Sequence, residues 1–162
     1  MATRSALLYD EDFYAWTRTQ AEALRRLAVT RPNVELDFEH LIEEVADLGK
    51  SERDAVRSQL RRIVEHCLKL EWSPAPAPHP GWYETIIDAR TILEDKLSPA
   101  LRRDIRRNLN KLYAQARRNA GGALRVHQEP GAADALPAEC HYLLADLLRH
   151  GWYPASRHAL TP

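Results

Sequence analysis

Asp37, His40, Glu43, Glu44 and Asp47 lie close together in the stretch DFEHLIEEVADLGKSERDAV, Asp37 to Val56. On a helix, the steps of three, four and three that join Asp37, His40, Glu44 and Asp47 put these four on one stripe. Carboxylates and an imidazole so arranged are the ligand types with which helical bundles hold divalent metals. The same residues also serve as ion-pairing groups on the wet flank of a helix. Di-metal bundles repeat a Glu-x-x-His spacing on facing helices, whereas here the order is reversed, His40 to Glu43 or Glu44, and it is not repeated. On a helical wheel the stripe lies about 110–120° from the centre of the apolar face, so it flanks the buried side. His66 is no partner for it. A hairpin turning near Lys50 brings His40 level with Leu60, and a continuous helix separates the two histidines by ~39 Å. Completing a site falls to His127, His141, His150 or a second subunit. Ion pairing is the preferred reading, and a divalent metal on His40, Glu44 and Asp47 is the alternative; no cofactor is favoured.

A second group of chemically capable residues is basic. Arg102, Arg103, Arg106, Arg107 and Lys111, followed by Arg117 and Arg118, set arginine pairs one turn apart, a spacing suited to tracking phosphates. From Leu101 to Arg118 there are seven bases and one acid, while from Glu35 to Asp54 there are eight acids and two bases. The chain as a whole is neutral, with 23 basic and 23 acidic residues, so an acidic helix is available to neutralise the basic one within the chain or across a dimer. That pairing is preferred to nucleic-acid or anion binding, which stays as an alternative. Catalysis has less support. His66-Cys67 and Cys140-His141 are sequence neighbours whose side chains point about 100° apart on a helix, so neither makes a thiolate pair, and only a cross-helix pair such as Cys67 with His141 remains open. Enzymatic activity is not expected.

The elements that position these residues read as helices throughout. Tyr9, Phe13, Trp16, Leu24 and Leu27 define a first helix over about 10–28, with Asp10 placed to cap it and Arg31-Pro32-Asn33 beyond its end. Phe38, Leu41, Ile42, Val45 and Leu48 mark a second over 35–48. Val56, Leu60, Ile63, Val64, Cys67 and Leu70 mark a third over 51–72. Gly49 between them suggests a break or sharp bend, although the two stripes stay nearly in phase, as one bent helix would also require. A continuous helix would be ~50 Å long against ~40 Å for a compact domain of this size. WSPAPAPHPGW then stops helix over 73–81, as alternating prolines must, with Trp72 and Trp82 as anchors. Further helices are expected over 82–97, over 99–119 with Ser98 as cap and Gly121-Gly122 as terminator, and over 137–150 with Cys140, Leu143, Leu144, Leu147 and Leu148 buried. The sum is an all-α, single-domain bundle of about five or six helices with a proline-rich connector.

Composition agrees with that class. The 162 residues are 28% charged and 44% hydrophobic, ordinary values for a globular protein that needs no disulfide, and Cys67 and Cys140 read as reduced packing residues. MATRSALLYDED contains no apolar run of leader length and nothing later approaches ~20 apolar residues, so the expectation is a cytoplasmic protein. Several segments together carry a family resemblance: LYDEDFYAWTRTQAEALR, HLIEEVADLGKSERDAV, the tryptophan-proline connector leading into GWYETIIDAR, then SPALRRDI and LPAECHYLLADLL. From about Leu7 to Pro154 the chain resembles an uncharacterised bacterial family, domain of unknown function twenty-nine. The resemblance implies an all-helical single domain and carries no activity with it. The function expected from the residues is therefore that of a non-enzymatic helical interaction protein, self-associating or bound to a protein partner.

Overall fold

The computed structural model describes residues 4–30 and 33–160. Arg31 and Pro32, expected just past the first helix, lie outside the described residues. Regular structure among the described residues is all helical: α1 (Arg4–Glu11), α2 (Phe13–Val29), α3 (Phe38–Trp72), α4 (His79–Lys96), α5 (Pro99–Val126), α6 (Pro130–Ala135) and α7 (Leu144–Leu148). The all-α expectation holds. The residues group into two compact units, one of Met1–Ala55 with Leu97–Asp104, the other of Val56–Lys96 with Ile105–Pro162.

In the first unit, α1 and α2 are separated by a single residue. Asp12 leaves helical geometry at φ −153° and ψ 79°, and its carboxylate accepts a hydrogen bond from the Ala15 amide at 3.0 Å. The cap is thus Asp12 and not Asp10, and a short helix that the apolar spacing did not reveal precedes it. The same carboxylate accepts from Ser98 Oγ and from the Ala100 amide, both at 2.8 Å, at the start of α5. Ser98 Oγ in turn accepts from the Leu101 amide at 3.3 Å. Asp12 is only 6% exposed, so one buried carboxylate satisfies orphan donors at the N-termini of two helices.

The break expected at Gly49 is absent, because α3 runs through it as one helix of ~52 Å. Gly49 is a packing residue. A Cβ there would sit 2.3 Å from Thr17 Oγ1 and 3.2 Å from Thr17 Cβ, so only glycine lets α3 lie this close to α2. The size limit that argued for a break assumed one compact domain, whereas α3 gives its first part to one unit and its second part to the other.

The second unit contains most of the core. Val56, Leu60, Ile63, Val64, Cys67 and Leu68 from α3 are fully buried, as are Ile86 and Ala89 from α4 and Ile105 and Ala116 from α5. The connector is shorter than expected, since α4 begins at His79, with Pro80 in its first turn where a missing amide costs nothing. Gly121-Gly122 does not end α5, which continues to Val126. Burial of Ala120 and Leu124 on its inner face outweighs the ~1 kcal/mol that each interior glycine costs.

The helix expected over 137–150 shrinks to α7, and the reason is local. Tyr113 Oη donates to the Pro137 carbonyl at 2.8 Å, and Arg117 Nε and Nη2 donate to the Leu136 carbonyl at 3.1 and 3.0 Å. Those carbonyls are committed to α5 side chains. Leu136, preceding a proline, is extended at ψ 127°. Leu143, expected inside, is consequently exposed.

Candidate functional site

The opening residues of α3 do not converge on a metal position. His40 Nδ1 and the backbone amide of His40 both bond the Asp37 carboxylate, which thereby caps the first turn of α3. This hydrogen bond raises the His40 pKa above its ordinary value and lowers that of Asp37. Asp47 pairs with Lys50, and Glu44 is exposed. Among the described residues, no group of three or more His, Cys, Asp or Glu side chains is gathered closely enough to hold a metal ion. The stripe His40, Glu44, Asp47 is therefore real as a helical face, with His40 bonded to Asp37 and Asp47 to Lys50. Arg102, Arg103, Arg106, Arg107 and Lys111 are all exposed along α5.

The first unit combines an apolar surface with a charged groove. Of the apolar residues buried among the described residues, only Ala21 and Leu101 belong to it. Leu7, Tyr9, Leu27, Val29, Val34, Leu36, Leu41 and Leu48 are all substantially exposed, Val29 to 82%. The stripe Phe38, Leu41, Ile42, Val45 and Leu48 has the spacing of a buried helix face, yet none of the five is fully buried. Beside it, α2 and α3 enclose an open groove of about 660 Å³ lined by Arg18, Arg25, Arg26, Lys50 and Arg53, of which Arg25 and Arg26 pair with Glu22, Lys50 with Asp47 and Arg53 with Asp54. The Arg18 guanidinium lies 5.9 Å from the centroid of the Tyr14 ring in the same groove.

The second unit places a buried polar cluster at the end of α3. The Glu71 carboxylate accepts from Tyr142 Oη at 2.7 Å, His141 Nε2 at 2.8 Å and Arg157 Nε at 3.3 Å. Burial, and then the bond to Glu71, pushes the Tyr142 pKa far up, so the phenol stays a donor. The backbone of the C-terminal segment is clamped to the same place, with the Arg157 amide donating to the Glu71 carbonyl at 2.9 Å and His158 Nε2 to the Trp72 carbonyl at 3.1 Å. One buried carboxylate thus anchors Tyr142, His141 and Arg157 to the end of α3.

The two thiols are held in the same inert way. Burial pushes Cys67 up to about 12, and it also raises Cys140. The cross-helix pairing of Cys67 with His141 does not form, since His141 goes to Glu71. Nearby, Arg90 is 2% exposed and spends Nε on the Leu147 carbonyl at 2.9 Å, with its guanidinium 5.3 Å from the Tyr153 ring centroid.

Comparison with known proteins settles the family. The family model described as "Domain of unknown function DUF29" matches residues 8–153. The chain belongs to this family. The DUF29 chain is also similar in fold to a solved structure from Rhodospirillum rubrum, titled an alpha-helical protein of unknown function. The TM-score is 0.78 and the identity 23%, over 89% of this chain and 90% of that one. No curated protein matches the chain.

Two features of this DUF29 chain escaped the sequence. The groove bases come from α2 and α3, about thirty residues apart, and Lys50 and Arg53 sit in a segment whose acids dominate its count. Their only trace was the step of three between Lys50 and Arg53, and of seven between Arg18 and Arg25, which keeps each pair on one face. Glu71 left a fainter one, an acid between Leu70 and Trp72 at the end of an apolar stripe, with partners 70 and 86 residues away. No helix of the described residues is long and apolar enough to cross a membrane.

Proposed function

We propose that this protein is a non-enzymatic helical interaction protein that self-associates through the apolar surface of its first unit. One observation carries this reading: among the described residues, the first unit keeps eight large apolar side chains exposed while burying only Ala21 and Leu101 from the apolar set. Helices whose apolar stripes stay partly exposed gain free energy when a second copy covers them. A two-fold pairing suits this chain because it offers both an acid-rich segment over 35–54 and a base-rich one over 101–118, so each copy complements the other. The hydrogen bonds of the Glu71 cluster serve packing and the pKa values of the two thiols are raised, in keeping with a role outside catalysis. A cytoplasmic setting goes with this reading, both cysteines being free.

The experiment is sedimentation of the full chain from low to high micromolar concentration, with Leu41→Glu and Leu48→Glu combined. Leu41 and Leu48 are 39% and 51% exposed in the single chain, so the monomer tolerates the change. Covering the exposed part of each recovers ~1 kcal/mol, and a two-fold interface counts each position twice, giving about 4 kcal/mol or roughly 10³ in dissociation constant. Dimer in the parent and monomer in the variant is the expected result; a parent that stays monomeric throughout refutes self-association.

A second reading, an anion or nucleic-acid binder, is favoured by the exposure of Arg102, Arg103, Arg106, Arg107 and Lys111. Retarded mobility of labelled DNA or RNA at low salt, lost on replacing these residues by glutamine, is its test.

A further inference from the structure

The second unit contains a cavity of about 310 Å³ next to the Glu71 anchor, a volume at the lower end for small-molecule sites. One wall is made of small residues on α6, Gly131, Ala132 and Ala135, and Trp72 with Pro74 supplies further apolar surface. The remaining lining comes from Arg157 and His158. No carboxylate is among these residues.

The polar chemistry available here is one-sided. The Trp72 indole nitrogen is buried with no hydrogen-bond partner among the described residues, and an indole N–H can only donate. The Arg157 guanidinium lies 4.2 Å from the centroid of the same Trp72 ring system. Its contact with Glu71 is made through Nε, so the Nη fork is the part suited to a two-point grip on a carboxylate. Glu71 is held away from the fork by its own donors, accepting from Tyr142 and His141 through one oxygen and from Arg157 Nε through the other.

We propose that this cavity binds a small apolar carboxylic acid, its hydrocarbon part against Trp72 and the α6 wall and its carboxylate on Arg157. The inference is independent of self-association, because it concerns residues of the second unit only.

The test uses the ¹⁵N-labelled full chain and the indole N–H signals of its four tryptophans. Trp72→Phe assigns the Trp72 signal. Phenylacetate is the probe, with 2-phenylethanol and 2-phenylethylamine as its neutral and cationic counterparts. The expected result is a saturable shift of the Trp72 signal with phenylacetate, about ten-fold weaker binding of the alcohol and no response to the amine. Arg157→Gln weakens phenylacetate about ten-fold. Since that variant also loosens the Glu71 contact, Ala132→Leu is the second one: it fills the cavity without touching the anchor, and it abolishes the shift while the other indole signals stay in place. No Trp72 shift up to roughly 10 mM phenylacetate, an equal response to the amine, or full binding by Ala132→Leu each overturns the proposal.

Discussion

Gly49→Ala tests whether close packing, and not a turn, explains the glycine in α3. The added Cβ would lie 2.3 Å from Thr17 Oγ1, roughly 1 Å inside normal contact, and 3.2 Å from Thr17 Cβ. Thr17 is fully buried and its hydroxyl donates to the Tyr14 carbonyl at 2.8 Å, so it has no open space to rotate into. Overpacking of this kind costs about 1–3 kcal/mol, against a gain of ~1 kcal/mol for alanine over glycine in a helix interior. The net expectation is destabilisation of about 0–2 kcal/mol. In a Thr17→Ala background the 2.3 Å contact is gone and the remaining 3.2 Å contact needs only a few tenths of an ångström, so Gly49→Ala there should be neutral or stabilising by up to ~1 kcal/mol. A double-mutant cycle by urea unfolding, followed by helical circular dichroism, should therefore give a coupling of about 1–3 kcal/mol. Gly49→Ala stabilising by the same amount in both backgrounds would refute the argument.

Asp12→Ala removes an acceptor used by Ala15, Ser98 and Ala100 at once, and leaves buried donors at two helix starts. A single cap is worth ~1 kcal/mol, so a loss of about 2–4 kcal/mol is expected in thermal or urea unfolding, and a loss below ~1 kcal/mol would show that the shared cap is ornamental. Burial, and then the charge of Lys69, lowers the His66 pKa, and burial lowers that of His79. The unfolded chain therefore takes up protons before the native one does. Stability should fall as pH drops below about 6.5 and level off once pH passes below the native values. His40 runs the opposite way, raised by Asp37, but it is fully exposed and screened. Urea midpoints between about pH 7.5 and 5.5 should fall less in a His66→Gln, His79→Gln variant, and identical slopes would remove these histidines from the account.

How far the sequence could be read depended on whether the deciding contact was local. The helical stripes of α3 and α5 were legible because periodicity of apolar residues is a property of one segment. Phase, however, does not reveal whether a partner exists: Leu41 and Leu48 have the same step of seven as Leu60 and Cys67, yet the first pair is exposed and the second buried. Gly49 was misjudged for the same reason, since its meaning lies in Thr17, thirty-two residues earlier, and not in its neighbours. The end of the chain was the hardest part. LPAECHYLLADLLRH has helical composition, but Tyr113 and Arg117 capture the carbonyls at 136 and 137, and no pattern within the segment announces that. His40, Glu44 and Asp47 share one helical stripe, and the local partners of two of them, Asp37 for His40 and Lys50 for Asp47, are within four residues, but the carboxylates and the imidazole are of types that serve a metal site and an ion pair alike.

The continuity of α3 has a consequence for how the protein breathes. Its C-terminal part carries fully buried side chains from Val56 to Leu68, whereas its N-terminal part carries half-exposed ones from Phe38 to Leu48. Every backbone amide past the first turn is hydrogen-bonded in the same ladder, yet the free energy holding that ladder shut differs along its length. Amide protons in the second part should exchange with solvent only when the whole unit opens, and those in the first part through fraying that starts at Phe38 and runs inward. A single rod thus has a slow end and a fast end, and anything that settles on the fast end would reveal itself as protection spreading backward along α3.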